Sequence, residues 1–439
     1  MWENQGRTRN RGKLMAAKIT APKGTQDFFP PRTLQWQALE AFLHRLSRRY
    51  GYGEMRTPIF ERTELFVRGV GDTTDIVEKE MFTFLDKAER SMSLRPEWTA
   101  PVVRAAIEHN LLQAGAARFY YIGPMFRYEN VQAGRYRQAH QFGVECLGYT
   151  GPEADSEVIS LIWETIAEYK LTNATLNINT IGDDACRPRY REALLEYLRP
   201  HREALSTDSQ RRLERNPFRI LDSKEPQDIA LVQGAPTFES MLCQPCRDHF
   251  ATLRAYLDAA SVPYVVNPQI VRGLDYYTRT VFEITSDALG AQSTVCGGGR
   301  YDGLVKALGG PNIPGVGFAM GIERFLMMVD AVHGVFTPER DGLQAIALGA
   351  QARSVLVPLV AELRGRTAMP VFMDFEERKL LAHLKTADRN NARFALIVGS
   401  EELQGGEAVL RDLEARSDRR VPLGRPADLA AVLGEAKAP

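Results

Sequence analysis

The most regular alternation of polar and apolar residues lies between Phe119 and Leu147. It predicts a strand over about Phe119–Arg127, a loop, and a second strand over about Arg137–Leu147. Successive side chains of a strand point to opposite faces. One face of the second strand therefore carries Arg137, Ala139, Gln141, Gly143 and Glu145. The other face carries Gln138, His140, Phe142, Val144 and Cys146.

The polar face of this second strand has two interpretations. Charged residues on an antiparallel pair usually mark only its solvated side. Here, however, the two smallest residues separate the polar groups, which leaves space above a rigid sheet for a ligand with anionic and cationic parts. Arg127, at the end of the neighbouring strand, adds a guanidinium fork that suits phosphate oxygens. The rest of the chain has to decide between the two.

The first hundred residues alternate between helical and extended patterns. Apolar residues at helical spacing predict a helix over about Thr33–Arg49. A strand interrupted by Pro58 is predicted over Met55–Phe66, followed by a hairpin within Glu80–Leu94. A further helix is predicted over about Ala100–Gln113. This part of the chain therefore mixes helices with antiparallel strands.

Glu97 lies in the loop where a strand gives way to the helix after it. Thr99 is predicted to be the N-cap of that helix. Glu97 is then either part of the surface chemistry around the cap or a carboxylate aimed at the ammonium group of a ligand. Both interpretations stay open from the local sequence.

After a long helical stretch, the chain returns to a pattern of strands. The region from Asp184 to about Ala260 is charged and predicted to be helical. Strand patterns resume over Val271–Ser286, and Gly315–Val332 predicts a strand that runs into a helix. Arg324 falls in the first turn of that helix, where the backbone is already positive. A bound anion such as a nucleotide phosphate would offset that charge.

Two short segments within this return are dense in polar and flexible residues. Val271–Glu283, VRGLDYYTRTVFE, contains Arg272 and two adjacent tyrosines, Tyr276 and Tyr277, predicted on opposite faces of a strand. Cys296–Asp302 contains three consecutive glycines, predicted to form a turn whose backbone approaches a ligand closely. The chain contains neither a dinucleotide-binding GxGxxG after a strand nor a P-loop.

The C-terminal region has a different pattern. After a linker over Val335–Gly342, strands and helices alternate, which predicts a small α/β domain with a largely parallel sheet over residues 343–439. This region also contains a basic cluster of Lys379, Lys385, Arg389 and Arg393. The cluster is either a solvated helix face or a surface that contacts RNA.

The composition limits the kinds of protein that this chain can be but does not select one of them. The 439 residues suggest two or three domains. With 55 basic and 55 acidic residues the net charge is zero, so any nucleic-acid surface must be a local patch. Residues 1–18 are polar and basic, which predicts a disordered extension. No apolar run suits a membrane span or a secretory signal, and the odd count of five cysteines favours reduced thiols in the cytoplasm.

Cys243 and Cys246 form a CxxC pair. The sequence shows no second CxxC and no nearby HxxxH, and a structural zinc normally has four ligands. We therefore expect a reduced pair in a loop and no metal.

Together these segments resemble the histidyl-tRNA synthetase family, which belongs to the class II aminoacyl-tRNA synthetases. The likeness extends from about Ile19 to Leu433. Three segments look like the motifs shared across class II: Met55–Phe66, Gly123–Gly148 and Gly315–Phe325. The sequences RGLDYYTRTVFE and GGGRYDGL are more specific, and are similar to the signatures of the histidine enzyme.

The resemblance implies a fold and an activity. The fold would be an α+β catalytic domain with an antiparallel sheet over residues 19–335, with a helical insertion at about 184–260, and an α/β anticodon-binding-like domain over 343–439. The enzyme would use ATP and Mg²⁺ to activate L-histidine as histidyl-adenylate and then transfer it to tRNA(His). It would be a cytoplasmic homodimer, with Met55–Phe66 building the dimer interface.

The resemblance also assigns roles to single residues. Arg127 and Arg272 would hold the ATP α-phosphate from opposite sides, and Arg135 and Arg324 the β- and γ-phosphates. Glu129 would lie near the adenine amino group. The remaining residues would bind histidine or tRNA: Glu97, Thr99 and Gln141 at the amino and carboxylate groups, Glu145 and Tyr277 at the imidazole nitrogens, Tyr276 along the pocket wall, and Gln132 at the tRNA acceptor end.

Three positions depart from the family pattern, and three rival functions remain. Ala139 falls where a phenylalanine under the adenine is usual, Trp98 where glycine or methionine is usual, and Asn130 where arginine is common. One rival is a non-catalytic regulatory subunit of ATP phosphoribosyltransferase, against which the C-terminal domain and the intact RGLDYY count. A second is a synthetase for another amino acid, against which the pair Glu145 and Tyr277 counts. A third is a generic RNA-binding scaffold, against which the phosphate-directed arginines count.

Overall fold

The computed structural model describes residues 18–71, 74–113, 115–290 and 293–435. The predicted basic extension over residues 1–18 lies outside these ranges, apart from Lys18. The chain divides into two compact units, one ending at Phe336 and the other beginning at Thr337. Of the helices in the described ranges, none is both long and apolar enough to cross a membrane.

The first unit contains eleven strands within the described ranges. They are β1 Gly53–Glu54, β2 Phe60–Arg62, β3 Thr83–Leu85, β4 Ser91–Leu94, β5 Ala117–Phe126, β6 Gln138–Leu147, β7 Ala174–Thr180, β8 Val265–Val266, β9 Thr278–Ser286, β10 Thr294–Arg300 and β11 Gly315–Gly321.

The helices of this unit lie before, between and after those strands. They are α1 Arg32–Arg49, α2 Thr63–Val70, α3 Thr99–Glu108, α4 Pro152–Glu168, α5 Arg187–Leu198, α6 Thr207–Arg215, α7 Pro226–Val232, α8 Gln244–Ala259, α9 Leu304–Ala307 and α10 Ile322–His333. Short segments of π- or 3₁₀-helix cover Ile76–Glu80, Arg199–Ala204, Pro217–Ile220, Glu239–Met241 and Asp287–Leu289.

Eight of the strands form one sheet in the order β1-β5-β6-β11-β10-β9-β7-β8. Its six central strands pair antiparallel, and only the short edge strands β1 and β8 pair parallel with their neighbours. β5 and β6 pair as the sequence predicts, with Gly123 opposite Gln141 and Met125 opposite Ala139. The other three strands form a small sheet in the order β2-β4-β3.

One face of the large sheet is the hydrophobic core. Phe142 and Val144 of β6 are fully buried there, on the face that the alternation assigns to the interior. Phe282 of β9 and Phe318 of β11 lie in the same cluster, together with apolar residues of α1, α4, α8 and α10. The opposite face of the sheet is therefore left for polar side chains.

The predicted strand over Met55–Phe66 is only partly correct. β2 covers Phe60–Arg62, and the chain turns into helix α2 at Thr63. Phe66 and Val70 lie one helical turn apart and both are fully buried in a small cluster. Their burial on one side of α2 stabilises a helix where the short apolar pattern suggests a strand.

The segment predicted to be helical, residues 184–260, contains α5, α6, α7 and α8. Its last helix differs from the others in its packing, because Phe250, Leu253 and Leu257 of α8 enter the main core. The predicted loop around the CxxC pair is wrong: Cys243 is the N-cap of α8 and Cys246 lies in its first turn. Pro245, which suits a first turn, accompanies this helix start.

The second unit has a five-stranded sheet with helices packed on it. Its strands are β12 Leu343–Ala347, β13 Val371–Met373, β14 Phe394–Val398, β15 Glu407–Asp412 and β16 Ser417–Pro422. Its helices are α11 Ala350–Arg366, α12 Leu380–Arg389, α13 Ser400–Gly405 and α14 Pro426–Glu435. β13, β12 and β14 are parallel, whereas β15 and β16 add antiparallel strands, so the largely parallel α/β pattern is present with an antiparallel edge.

A buried ion pair joins α4 to β10 in the first unit. Arg300 and Asp155 are both fully buried and directly bonded. Arg300 also donates to the carbonyl oxygens of Tyr149 and Gly151, each at 2.8 Å. His249 of α8 contacts the same carboxylate at 3.2 Å. Burial alone would raise the pKa of Asp155, but Arg300 and His249 lower it to about 2.

Replacing Asp155 with alanine should destabilise the first unit strongly. The change removes the only fully buried carboxylate in contact with Arg300 among the described residues and leaves the partly exposed Asp302, at 3.2 Å, as its remaining carboxylate partner. Breaking a buried ion pair in this way costs about 3–5 kcal/mol in the free energy of unfolding. Thermal or urea unfolding followed by circular dichroism would measure it. Glu214→Ala is the matched control, because it removes an exposed ion pair with Arg199 and should change stability little. Equal stability of the two variants would contradict the assignment.

Candidate active site

A cavity of about 280 Å³ opens on the polar face of the large sheet. Of the twelve site residues that the sequence suggests, ten line it: Glu97, Thr99, Arg127, Glu129, Arg135, Gln141, Arg272, Tyr276, Tyr277 and Arg324. Gln132 lies in the exposed β5–β6 loop, where its backbone exchanges hydrogen bonds with Arg135. Glu145 does not line the cavity and lies beneath its wall.

Glu145 is fully buried and surrounded by hydroxyl groups. Its Oε1 accepts hydrogen bonds from Thr99 Oγ1 at 2.7 Å and from the Tyr121 hydroxyl at 3.3 Å. Its Oε2 accepts a hydrogen bond from the Tyr301 hydroxyl. Burial raises the pKa of Glu145 to about 8, although the hydrogen bonds from Tyr301 and Thr99 oppose that rise. Burial therefore makes this carboxyl hold its proton more tightly than an exposed glutamate does.

The strand beside Glu145 approaches it so closely that it has no room for a side chain. A Cβ on Gly317, in the neighbouring strand β11, would lie 2.1 Å from Glu145 Oε2. Any side chain there would displace the carboxylate from its hydroxyl partners. Gly317 is thus required for close approach and not for an unusual backbone angle.

Glu97 caps helix α3. Its carboxylate accepts hydrogen bonds from the N–H of Thr99 at 2.6 Å and of Ala100 at 2.9 Å. The predicted N-cap is therefore wrong: Thr99 is the first residue of α3, and its hydroxyl is directed at Glu145 instead. Burial raises the pKa of Glu97, and the two N–H groups oppose that rise. A carboxylate held this way keeps a fixed position at the cavity wall.

The arginines of the cavity create a region of positive potential. Arg127 is oriented by a 2.8 Å hydrogen bond from its Nε to the Pro96 carbonyl. Glu129 lies between Arg127, at 3.7 Å, and Arg135, at 3.4 Å. Burial lowers the pKa of Arg324, and repulsion by Arg135 lowers it further. Two guanidiniums that repel each other inside a cavity favour an anionic ligand.

Arg272 is held in a strained backbone conformation. Its φ angle is 59°, in the left-handed region, and its Nη1 bonds Glu283 at 3.1 Å. The guanidinium lies flat on Gly297, where a Cβ would be 2.0 Å from Nη2. The glycine-rich segment is strand β10 and not the predicted turn, and its small residues make room for this side chain.

The two adjacent tyrosines precede strand β9 and lie in a turn. Tyr276 and Tyr277 have ring centroids 4.7 Å apart, and both line the cavity. The predicted placement on opposite strand faces is therefore wrong, because the strand begins only at Thr278. The turn brings both rings to one side.

Gln141 lies on β6 and lines the cavity. Its Oε1 atom is buried and, within the described residues, has no hydrogen-bond partner. An unpaired buried acceptor costs free energy until a donor reaches it. A ligand ammonium or N–H group in the cavity would satisfy it.

Comparison with known proteins agrees with this geometry. A profile of the histidyl-tRNA synthetase family matches residues 24–325, and one of the anticodon binding domain matches residues 346–429. The chain is 50% identical over 408 residues to a histidine–tRNA ligase from Desulfitobacterium hafniense, which covers 92% of this chain and 96% of that protein.

The chain belongs to the histidyl-tRNA synthetase family.

Solved structures of this family have the same fold. Apo histidyl-tRNA synthetase from S. aureus is 35% identical, with a TM-score of 0.78 over 95% of this chain and 100% of that chain. A protein from Bacillus halodurans C, described as an ATP phosphoribosyltransferase regulatory subunit/histidyl-tRNA synthetase, is 23% identical, with a TM-score of 0.62 over 84% of this chain and 96% of that one. At 23% identity, the similarity to the Bacillus halodurans protein is evidence for the fold alone. The predicted class II architecture and family are confirmed.

Two of the departures from the histidyl-tRNA synthetase pattern occur together in space. Trp98 stacks on Tyr121, with ring centroids 4.7 Å apart and planes 6° from parallel. Arg95 covers the same indole at 3.3 Å. Ala139 belongs to the same small buried cluster as Trp98. A large residue at one position therefore accompanies a small residue at the other.

Tyr121, Tyr301 and Glu323 are absent from the residues that the sequence suggests for the site. Tyr121 pairs across the sheet with Gly143, a signal that it shares the cavity face. Tyr301 lies within the quoted GGGRYDGL. Glu323, in the first turn of α10, accepts the His140 N–H at 3.0 Å and contacts His140 Nδ1 at 2.9 Å. No local pattern indicates that last contact, because 183 residues separate the partners.

Replacing Glu145 with glutamine should change how stability depends on pH. The folded pKa of about 8 lies above the ordinary value of 4.5, so this carboxyl stabilises the fold fully below about pH 4.5 and that contribution is lost as pH rises to 8. Glutamine does not titrate. The variant should therefore gain stability relative to the natural chain between pH 5 and 8, by at most about 1.4 kcal/mol per pH unit.

Melting temperatures recorded across that range would measure the effect. Glu214→Gln, at an exposed carboxylate, should run parallel to the natural chain. Parallel curves for Glu145→Gln as well would show that this carboxyl has an ordinary pKa.

Proposed function

We propose that this chain, a histidine–tRNA ligase by family, uses ATP to convert L-histidine to histidyl-adenylate and transfers the histidyl group to the 3′ end of tRNA(His). The observation that carries the proposal is one cavity lined by four arginines, with the buried carboxyl of Glu145 beneath its wall. The arginines suit a nucleotide triphosphate, and the carboxyl suits an imidazole. The 50% identity to a histidine–tRNA ligase supports the same activity.

ATP binds through the arginines of the cavity. Arg127 and Arg272 approach the α-phosphate from β5 and from the turn before β9, which are separated by the width of the central sheet. Arg135 and Arg324 bind the β- and γ-phosphates, which relieves their mutual repulsion. Glu129 lies near the adenine amino group. Mg²⁺ belongs to the nucleotide substrate and enters the cavity with it.

Histidine binds at the other part of the cavity. Each carboxylate oxygen accepts about two hydrogen bonds. Glu145 Oε1 already accepts two, whereas Oε2 accepts only that of Tyr301, so one acceptor position remains for an imidazole N–H. Tyr277 binds the second ring nitrogen, and Tyr276 lines the pocket.

The pocket selects histidine through these polar partners. An apolar side chain of similar size would leave the remaining acceptor position of Glu145 Oε2 without a donor, which a site of this kind penalises heavily. Gln141 accepts from the substrate ammonium, and Glu97 and Thr99 complete the binding of the amino and carboxylate groups.

The first chemical step needs no protein nucleophile. An oxygen of the histidine carboxylate attacks the α-phosphorus, an O–P bond forms, and the bond to pyrophosphate breaks. Negative charge grows on the phosphate oxygens between Arg127 and Arg272. Fixed guanidiniums stabilise that charge without reorganising, and the aligned reactants supply the remainder of the acceleration.

The second step joins the histidyl group to tRNA. The terminal ribose hydroxyl attacks the adenylate carbonyl, AMP leaves, and a phosphate oxygen of the adenylate accepts the hydroxyl proton. Gln132, exposed in the β5–β6 loop, contacts the acceptor end. The second unit binds the anticodon, with Lys379, Lys385 and Arg389 exposed on or beside α12.

We also propose a homodimer built on the small sheet. Phe60, Phe84 and Leu85 expose between 44% and 65% of their surface there. Apolar residues exposed together mark an interaction surface. We further propose that the protein is cytoplasmic and that its two domains cover residues 19–335 and 343–439.

Amino-acid-dependent exchange of labelled pyrophosphate into ATP would test the activity. With all twenty amino acids assayed singly, histidine alone should support exchange, because only an imidazole satisfies Glu145 and Tyr277 together. Exchange with a different amino acid would overturn the assigned specificity. Binding of histidine without any exchange would indicate the regulatory function instead.

Replacing Arg272 with alanine should lower the turnover number for exchange by about 10²–10³-fold, because one charge-stabilising donor on the α-phosphate is lost. Steady-state exchange kinetics would measure it. Glu283→Gln is the matched control: it removes the ion pair with Arg272 but keeps the guanidinium. A similar loss in both variants would assign Arg272 a structural role only.

A further inference from the structure

Three cysteines and an aspartate meet at the start of two helices. Asp183 and Cys186 form a DxxC segment before α5, and Cys243 and Cys246 form the CxxC that opens α8. One ligand atom from each of the four lies within 4.8 Å of all the others. The two segments are separated by 57 residues, from Cys186 to Cys243, so the fold alone brings them together.

The distances approach those of a tetrahedral metal site. Sulfur ligands of a four-coordinate Zn²⁺ lie about 3.8 Å apart when each Zn–S bond is about 2.3 Å. Asp183 Oδ1 lies 3.4 Å from Cys186 Sγ and 3.9 Å from Cys243 Sγ. Small side-chain movements would therefore complete the coordination.

Backbone groups support the cluster as they do around metal-bound thiolates. The Cys243 N–H donates to Cys186 Sγ at 3.0 Å, and the Ala185 N–H donates to Asp183 Oδ1 at 3.1 Å. Cys186 and Cys246 are buried, and Leu242 packs against them. Asp183 Oδ2 faces the other way and pairs with Arg279 at 3.4 Å, which orients the carboxylate from outside.

We propose that Asp183, Cys186, Cys243 and Cys246 bind one structural Zn²⁺. Four protein ligands leave no open position, which is the arrangement of a structural and not a catalytic zinc. Thiolates with one carboxylate suit Zn²⁺ better than Mg²⁺ or Ca²⁺, which prefer oxygen ligands alone. Binding releases the thiol protons to solvent and involves no change of oxidation state.

A zinc ion at this site would connect the helical segment, residues 184–260, to strand β9, which directly follows Tyr276 and Tyr277. Arg279, the outer partner of Asp183, donates its N–H to the Gly182 carbonyl at 2.6 Å. Arg187, the first residue of α5, donates to the Tyr277 carbonyl at 3.2 Å. The metal thus lies two short connections away from the turn that carries Tyr276 and Tyr277.

Metal analysis of the full chain, purified without chelator or affinity metal, would test the site. Atomic emission should find about one zinc per chain. Cobalt added to chelator-treated protein should produce the intense thiolate-to-cobalt charge-transfer absorption of a Cys-rich tetrahedral site. The melting temperature should fall on chelation and recover with Zn²⁺ but not with Mg²⁺.

Variants separate this cluster from other thiols. The double substitution Cys243→Ser with Cys246→Ser should abolish zinc retention and the cobalt absorption. Cys146→Ala removes a buried thiol elsewhere and should keep both. Because the double variant could also fail to fold, the cobalt spectrum of the natural chain decides independently. Absence of zinc and of charge-transfer absorption in that folded protein, or a Cys243–Cys246 disulfide by mass spectrometry, would overturn the proposal.

Discussion

The buried carboxyl of Glu145 is the interaction around which the active site is assembled. Its three hydroxyl partners come from the start of α3, from β5 and from the end of β10. A carboxyl without an arginine or lysine in contact cannot be buried cheaply, so these hydroxyls must all be present at once. Their positions in turn fix how helix α3 and the two strands meet. In the proposed function, substrate recognition and local packing therefore depend on the same contacts.

Charge is distributed unequally within the cavity, and this orients the reactants. Guanidiniums of Arg127, Arg135 and Arg324 line the same cavity, and burial lowers the pKa of Arg324. A triphosphate gains most from that region. A substrate with a cationic or N–H-bearing end gains most near Glu97 and Glu145. In the proposed function, these charges would bring the carboxylate of histidine beside the α-phosphate of ATP, which is the geometry that adenylate formation needs.

The side chains around this cavity fit together because small residues in one segment leave room for large side chains from a distant segment. Gly297 gives Arg272 its place, and Gly317 gives Glu145 its place. Trp98 fills space in the cluster that contains Ala139, so the family departures at these two positions form one packing unit. A similar exchange operates outside the cavity, where cysteines from two helix starts share one small buried cluster. In each case the size of one residue can be explained only by the side chain that packs against it.

The sequence by itself determined the alternation of β5 and β6, the strand and helix that carry Arg324, and the residue types of the site, because these depend on local periodicity. It did not determine that Glu97 caps α3, that Tyr276 and Tyr277 face one side, or that Glu145 lies beneath the cavity wall. It also left the CxxC without ligands that the fold supplies from Asp183 and Cys186. Those features depend on contacts between residues far apart in the chain, and only tertiary packing decides which of them form.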